Sequence, residues 1–128
     1  MADYLLDTNV LILALRGRHV ALDLLDVLQR QATLHISVVT RTEVLAGMHP
    51  REETRTLHLL QSLESLPITL AIADRAGRWI YQFARQGVQL SFPDALIGAT
   101  AVRHDLALVT TNTKHFPMSE VQTYPLAT

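Results

Sequence analysis

Three of the twelve acidic residues stand apart from the rest, most of which lie on polar helix faces. Asp7 closes the apolar run Tyr4-Leu5-Leu6 and precedes a short helical pattern. It reads either as a helix N-cap or as a carboxylate held at a strand's end; Thr8 and Asn9 can also cap, which leaves Asp7 available for chemistry. Glu43 lies in Val-Val-Thr-Arg-Thr-Glu-Val-Leu-Ala-Gly, one step of about 100° from Val44, at the edge of a face formed with Leu45 and Met48. Its neighbours Val39, Ala46 and Gly47 are small or short and leave room beside the carboxylate. Taken alone, it reads as an ordinary exposed glutamate. Asp94 follows Pro93 in the first turn of the most apolar helical stretch, where free N–H groups and the helix dipole favour an ionised carboxylate.

Three carboxylates brought to one crevice repel one another, and each is harder to ionise unless a cation joins them. All-oxygen ligation, with no cysteine and no histidine pair at helical spacing, points to a hard divalent ion, Mg²⁺ or Mn²⁺. Mg²⁺ takes one or two carboxylates, keeps several waters and is completed by substrate phosphate, so hydrolysis of a phosphodiester is the expected use. His104 and His115 fall near the motifs but lack a partner three or four residues away, which makes them poor ligands.

The elements that must position these acids alternate. Short apolar runs at Tyr4–Asp7, Leu34–Ser37, Pro67–Leu70 and Leu106–Thr110 read as strands. Between them lie helical stretches. Val10–Leu15 follows capping residues and ends at Gly17. His19–Ala32 turns Ala21, Leu24, Leu25 and Leu28 inward. A short helix carries Glu43, and Pro50 opens another with Glu52 and Glu53 in its first turn and Leu57, Leu60 and Leu63 inward. From about Ala71 to Gln86, Ile72, Ala76, Trp79, Ile80 and Phe83 form one stripe, and Gly87 stands at the C′ position. Asp94 to His104 is apolar all round and is expected to be a buried central helix. This alternation predicts an α/β fold, a three-layer αβα sandwich around a mostly parallel sheet with sites beyond the strands' carboxyl ends. In such a sheet the first strand tends to be central, placing Asp7 over the crevice.

At 128 residues the chain is expected to form a single domain over 1–128. Apolar residues make up 48% and charged residues 18%, which excludes intrinsic disorder. Zero cysteines removes disulfides, cysteine-based zinc sites and thiol nucleophiles, and suggests a reducing, cytoplasmic location. No apolar run is long enough to span a bilayer, and MADYLLDTNV lacks the basic start of a signal peptide. The formal charge of −1 is not that of a non-specific nucleic-acid binder. The basic set is nonetheless ten arginines and one lysine, Lys114, a choice that suits phosphate oxygens and also follows from GC-rich coding.

Four stretches in order, LLDTNVLI at Asp7, TRTEVLAG at Glu43, FPDALIGATA at Asp94 and LVTTNTKHF from Leu108 to Phe116, resemble a PIN domain. More specifically they resemble the VapC toxin ribonucleases of bacterial toxin–antitoxin pairs, over nearly the whole chain. The resemblance implies that Asp7, Glu43 and Asp94 hold Mg²⁺ or Mn²⁺, and that the metal activates water to cleave single-stranded or looped RNA. It also implies a homodimer and a VapB-type antitoxin that blocks the site. On that reading Asp7 and Asp94 are primary ligands, and Glu43 binds through water or acts as general base. Thr8, Asn9 and Thr110 orient the ligands, and Arg41, Arg51 and Arg103 are phosphate candidates by proximity to the motifs. A weak overall charge favours a discrete structured target, such as a tRNA or a ribosomal loop.

The pattern departs from many PIN nucleases at one place. A fourth acid in Thr-x-Asp is replaced by Thr110-Thr111-Asn112. Three carboxylates and one Mg²⁺ leave −1, whereas a fourth acid invites a second ion. Asn112 therefore implies one tightly held metal, with its carbonyl free to orient a water. It also leaves open a catalytically inactive PIN-like module that binds RNA or protein. Other small doubly wound folds fit less well. A receiver domain needs an acidic pair after its first strand and an aspartate after its third, where this chain has Leu70-Ala71. A haloacid-dehalogenase phosphatase needs Asp-x-Asp, and this chain has Asp7-Thr8-Asn9. A dinucleotide site needs Gly-x-Gly-x-x-Gly, which is absent.

Overall fold

A computed structural model describes residues 3–127. The chain runs β1 (Tyr4–Leu6), α1 (Thr8–Leu15), α2 (His19–Gln31), β2 (Leu34–Ser37), α3 (Val38–Gly47), a 3₁₀ turn (Pro50–Glu52) and α4 (Glu53–Gln61). It continues through β3 (Glu64–Leu66), α5 (Leu70–Arg85), α6 (Phe92–Arg103), β4 (Ala107–Thr110), a second 3₁₀ turn (Thr113–His115) and β5 (Thr123–Pro125). The five strands pair in the order β3-β2-β1-β4-β5, every pair parallel. β1 is central, as the sequence predicts.

Alternation along the strands builds two cores. Leu5 and Leu108 face a layer made by α5 and α6, with Ile72, Ala76, Trp79, Ala95 and Ile97. Leu6, Val109 and Ile36 face the other side, where α1, α2 and α4 supply Val10, Leu11, Leu25, Leu28 and Leu60. α3 sits at the seam: Val39 packs on the first core and Val44 belongs to the second. A sheet covered on both faces is the three-layer αβα architecture.

The helices begin and end where local chemistry dictates. Asp7 is the N-cap of α1, and Gly17, at φ 75°, takes the left-handed conformation that stops it. Thr69 caps α5 through its hydroxyl to the Ile72 N–H at 3.2 Å, and Ser91 caps α6 through the Asp94 N–H at 3.2 Å. On α6, Ala95 and Ile97 to Ala101 are buried, the central helix expected. Leu57, expected inward on α4, is 37% exposed, while Leu60 and Leu63 are buried.

Two strand expectations are corrected. The third strand is Glu64–Leu66, not Pro67–Leu70. Pro67 has no N–H to give a ladder, and Thr69 is committed to capping, so the apolar character of Ile68 serves the α5–α6 core from a connection. The fifth strand, Thr123–Pro125, is additional. It is an exposed edge strand ending in proline, with no apolar alternation to announce it.

Register puts three side chains in a row at the sheet's carboxyl edge. Tyr4 pairs with Leu34 and with Ala107. The same offsets carry Asp7 level with Ser37 and Thr110, and the Asp7 N–H bonds the Val109 carbonyl at 2.9 Å.

Candidate active site

Asp7 is 5% exposed, and both carboxylate oxygens are held. Oδ1 accepts from the Thr8 N–H and Oδ2 from the Thr110 hydroxyl, each at 2.8 Å. The Thr110 hydroxyl, fully buried, in turn accepts from the Asn112 N–H at 3.1 Å. Each oxygen of Asp7 keeps further lone-pair capacity. Capping and a further role are thus not exclusive: the same carboxylate caps α1 and keeps acceptor capacity for another partner.

Glu43 is half-buried on α3 and tied to the same spot. The Thr8 hydroxyl lies 2.6 Å from Glu43 Oε1 and 3.1 Å from the Thr40 hydroxyl. A hydroxyl has one proton, so the short bond is Thr8 donating to Glu43, and Thr40 donates to Thr8. Thr40 is fully buried and lies three residues before Glu43, on the same helical face.

Asp94 reaches the group from the first turn of α6, with its side chain 23% exposed. Its Oδ2 lies 3.5 Å from His115 Nδ1, and His115 Nε2 lies 3.0 Å from Asn112 Nδ2. With Asn112 donating to Nε2, the ring proton sits on Nδ1 facing Asp94. Asn112 therefore joins both limbs of the site, through its backbone N–H to Thr110 and through its side chain to His115.

The electrostatics bind the three acids together. Burial, first, pushes the Asp7 carboxyl above the usual carboxylate range. The Thr110 hydroxyl and the Thr8 N–H pull the other way, and the negative charges of Asp94 and Glu43 push up again. Among the described residues, no three His, Asp or Glu side chains stand close enough to enclose a metal ion by themselves. A donor set of one buried and two partly open carboxylates suits a hydrated cation that takes few protein ligands better than one that needs a closed cage.

The remaining sequence candidates lie at varied distances from this centre. Asn9 is exposed and borders a cavity that Thr111 and Asn112 also line. Arg41 is about 200° around α3 from Glu43, and its Nη1 donates to Ser65 Oγ at 3.4 Å. Arg51 is exposed on the first 3₁₀ turn. Arg103 is at the far end of α6, nine residues and about 13 Å along the axis from Asp94. Thr40 and the His115 link escaped sequence reasoning. The i−3 spacing to Glu43 was a signal for Thr40, but its meeting with Thr8 depends on how α1 and α3 pack.

The sequence matches the PIN domain family over residues 4–120. It is 40% identical over 123 residues to Ribonuclease VapC10 of Mycobacterium tuberculosis, an alignment covering 96% of this chain and 92% of that protein. A chain of a toxin–antitoxin complex from Klebsiella pneumoniae is 33% identical and superposes with a TM-score of 0.78, covering 95% of this chain and 98% of that one. VapBC2 from Rickettsia felis, bound to a DNA fragment from its promoter, shares the fold at a TM-score of 0.83 and 22% identity, over 96% of this chain and 98% of that one. The chain belongs to the PIN domain family and, within it, to the VapC ribonucleases.

Proposed function

We propose that the protein is an endoribonuclease toxin that hydrolyses RNA phosphodiester bonds with Mg²⁺ or Mn²⁺ at Asp7, Glu43 and Asp94. The observation that carries this reading is Asp7: a buried carboxylate, held at both oxygens, whose ionisation is opposed by two neighbouring acids. Such a group is costly in the bare fold and becomes favourable beside a cation. When bound, the ion supplies positive charge to the phosphate and lowers the pKa of water.

The chain's own residues do the rest. Thr110 and the Thr8 N–H fix the Asp7 rotamer. The Thr40–Thr8 relay holds Glu43 by Oε1, leaving Oε2 to take a proton from the attacking water or to bind the ion through water. His115 and Asn112 steer Asp94. Asn112, being neutral, adds no charge that would call for a second ion.

The toxin–antitoxin complexes among its structural neighbours, VapBC complexes included, support a VapB-type antitoxin as partner. The exposure of Leu70, Tyr81 and Phe92 on α5 and α6, at 85%, 63% and 71%, supports a homodimer that covers part of that surface. Among the described residues no helix is long and apolar enough to cross a membrane, and we place the toxin in the cytoplasm. The test is cleavage of tRNA and of a ribosomal stem-loop in Mg²⁺. Cleavage should stop in EDTA, return with Mg²⁺, and be absent in Asp94→Asn with an unchanged circular dichroism spectrum. Undiminished cleavage in EDTA, or by folded Asp94→Asn, refutes the proposal; a folded wild type that binds RNA without cutting it is the inactive binding module.

A further inference from the structure

We infer that Arg16 and Arg18 form the phosphate-binding track that draws an RNA strand to the acidic centre. This rests on the nuclease reading above and adds the residues that hold the strand. A cavity of about 430 Å³ opens beside the site, walled by Ile12 and Leu13 of α1 and by Asn9, Arg16, Arg18, Thr111 and Asn112. Asn9 lies two residues after Asp7, and Asn112 two residues after the threonine that holds Asp7. The cavity thus starts beside the acids at Asn9 and Asn112 and runs along α1 to Arg16, nine residues and about 13 Å along the axis from Asp7, and no carboxylate lines it. Arg16 also borders a second cavity, about 140 Å³, that Glu43 lines, so it stands between the two spaces flanking the site.

An ordinary local role accounts for Arg16 but not for Arg18. Arg16 ends α1, where a cation complements the helix dipole. Arg18 is the N-cap of α2, a position that favours serine, threonine or aspartate and disfavours a cation, and its side chain makes no capping bond. Among the described residues neither guanidinium is within ion-pair distance of a carboxylate, in contrast to Arg30 with Asp26 and Arg75 with Glu120. The backbone that carries them is fixed: the N–H groups of Arg16, Gly17 and Arg18 bond the carbonyls of Ile12, Ala14 and Leu13 at 3.0 Å each. A locally unfavourable cation on a rigid turn, beside a second cation and facing a polar cleft, is the pattern of a residue retained for binding.

The need for such a pair follows from charge. Three carboxylates repel phosphate, and the chain's net charge of −1 offers no general attraction. Attraction must be local, and guanidinium forks match phosphate oxygens. Asn9, Thr111 and Asn112 add neutral hydrogen-bonding groups that do not repel the backbone.

The experiment measures binding of fluorescein-labelled total tRNA by anisotropy across a salt series, in the non-cleaving Asp7→Asn background. Adding Arg16→Ala and Arg18→Ala should reduce the slope of log affinity against log salt by about 1.5, because two phosphates are no longer neutralised. Affinity at low salt should fall at least tenfold, and Arg16→Lys with Arg18→Lys should restore most of the slope. Arg30→Ala with Arg55→Ala, on exposed faces of α2 and α4, should leave it unchanged. An unaltered slope in the Arg16→Ala/Arg18→Ala protein overturns the inference, whether because RNA runs elsewhere or because the arginines serve a protein partner. Failure of Asp7→Asn to bind tRNA at all overturns it too. Cleavage by the wild type, scored separately, decides the nuclease reading whatever the slopes show.

Discussion

Replacing Thr110 by valine removes one hydroxyl from a fully buried position while keeping the side chain's shape. That hydroxyl donates to Asp7 at 2.8 Å and accepts from Asn112 at 3.1 Å. A hydrogen bond to a buried charged group contributes about 1.5–3 kcal/mol, and the Asn112 N–H, only partly buried, can turn to water. With Asp7 ionised and no metal bound, the expected loss is therefore about 2 kcal/mol. With about 2.1 cal/mol/K of unfolding entropy per residue over 128 residues, this lowers Tm by about 7 °C. The hydroxyl favours the ionised carboxylate, so the loss is fully present above the folded pKa of Asp7. As pH falls through that pKa it shrinks towards the roughly 1 kcal/mol of a neutral hydrogen bond. Urea unfolding of both proteins at neutral and acid pH measures it. A loss that is absent, or identical at the two pH values, would falsify the assignment of Thr110 as the group that holds the Asp7 carboxylate.

Three further outcomes follow from the same geometry. Burial and two like charges raise the Asp7 pKa above its unfolded value, so this group favours the metal-free fold at acid pH and loses that contribution as pH rises through the folded pKa. Urea midpoints of wild type relative to Asp7→Asn should therefore decline from acid to neutral pH; parallel profiles would contradict the burial argument. Thr8→Val breaks the relay to Glu43 and should cut the cleavage rate at least tenfold with little change in RNA affinity, read from single-turnover kinetics. At Gly98, a Cβ would come within 2.7 Å of Met118 Cε and 3.4 Å of Trp79 and Val121. Gly98→Ala should be nearly neutral, since about 1 kcal/mol of helix propensity offsets a shift of the flexible methionine, whereas Gly98→Val should cost about 2–3 kcal/mol by denaturation.

The central architecture was legible because its signals are local. Leu5, Leu6 and the capping triplet Asp7-Thr8-Asn9 mark a strand feeding a helix, and the stripe from Ile72 to Phe83 has helical period. β3 is not legible because Glu64-Ser65-Leu66 carries one apolar residue while Pro67-Ile68-Thr69-Leu70 beside it is the more apolar run, and only the ladder geometry shows that Glu64–Leu66 pairs with β2. β5 has no apolar signature and exists because β4 leaves an edge to pair. In the site, Asp7 and Asp94 were readable from position, at a strand's end and a buried helix's start. Glu43 was singled out by the family pattern, since nothing in its own segment distinguishes it from a surface glutamate. The Thr40–Thr8–Glu43 relay and the Asn112–His115–Asp94 link join residues from different elements, and packing alone brings them together.

Binding of Mn²⁺ in the absence of RNA tests the account most directly. Calorimetric titration of the wild type should give one ion per chain, with binding lost in Asp7→Asn and in Asp94→Asn and weakened in Glu43→Gln. If the folded wild type takes up no ion, or the two asparagine variants bind it as tightly as the parent, the three carboxylates do not form a cation site and the proposed chemistry fails.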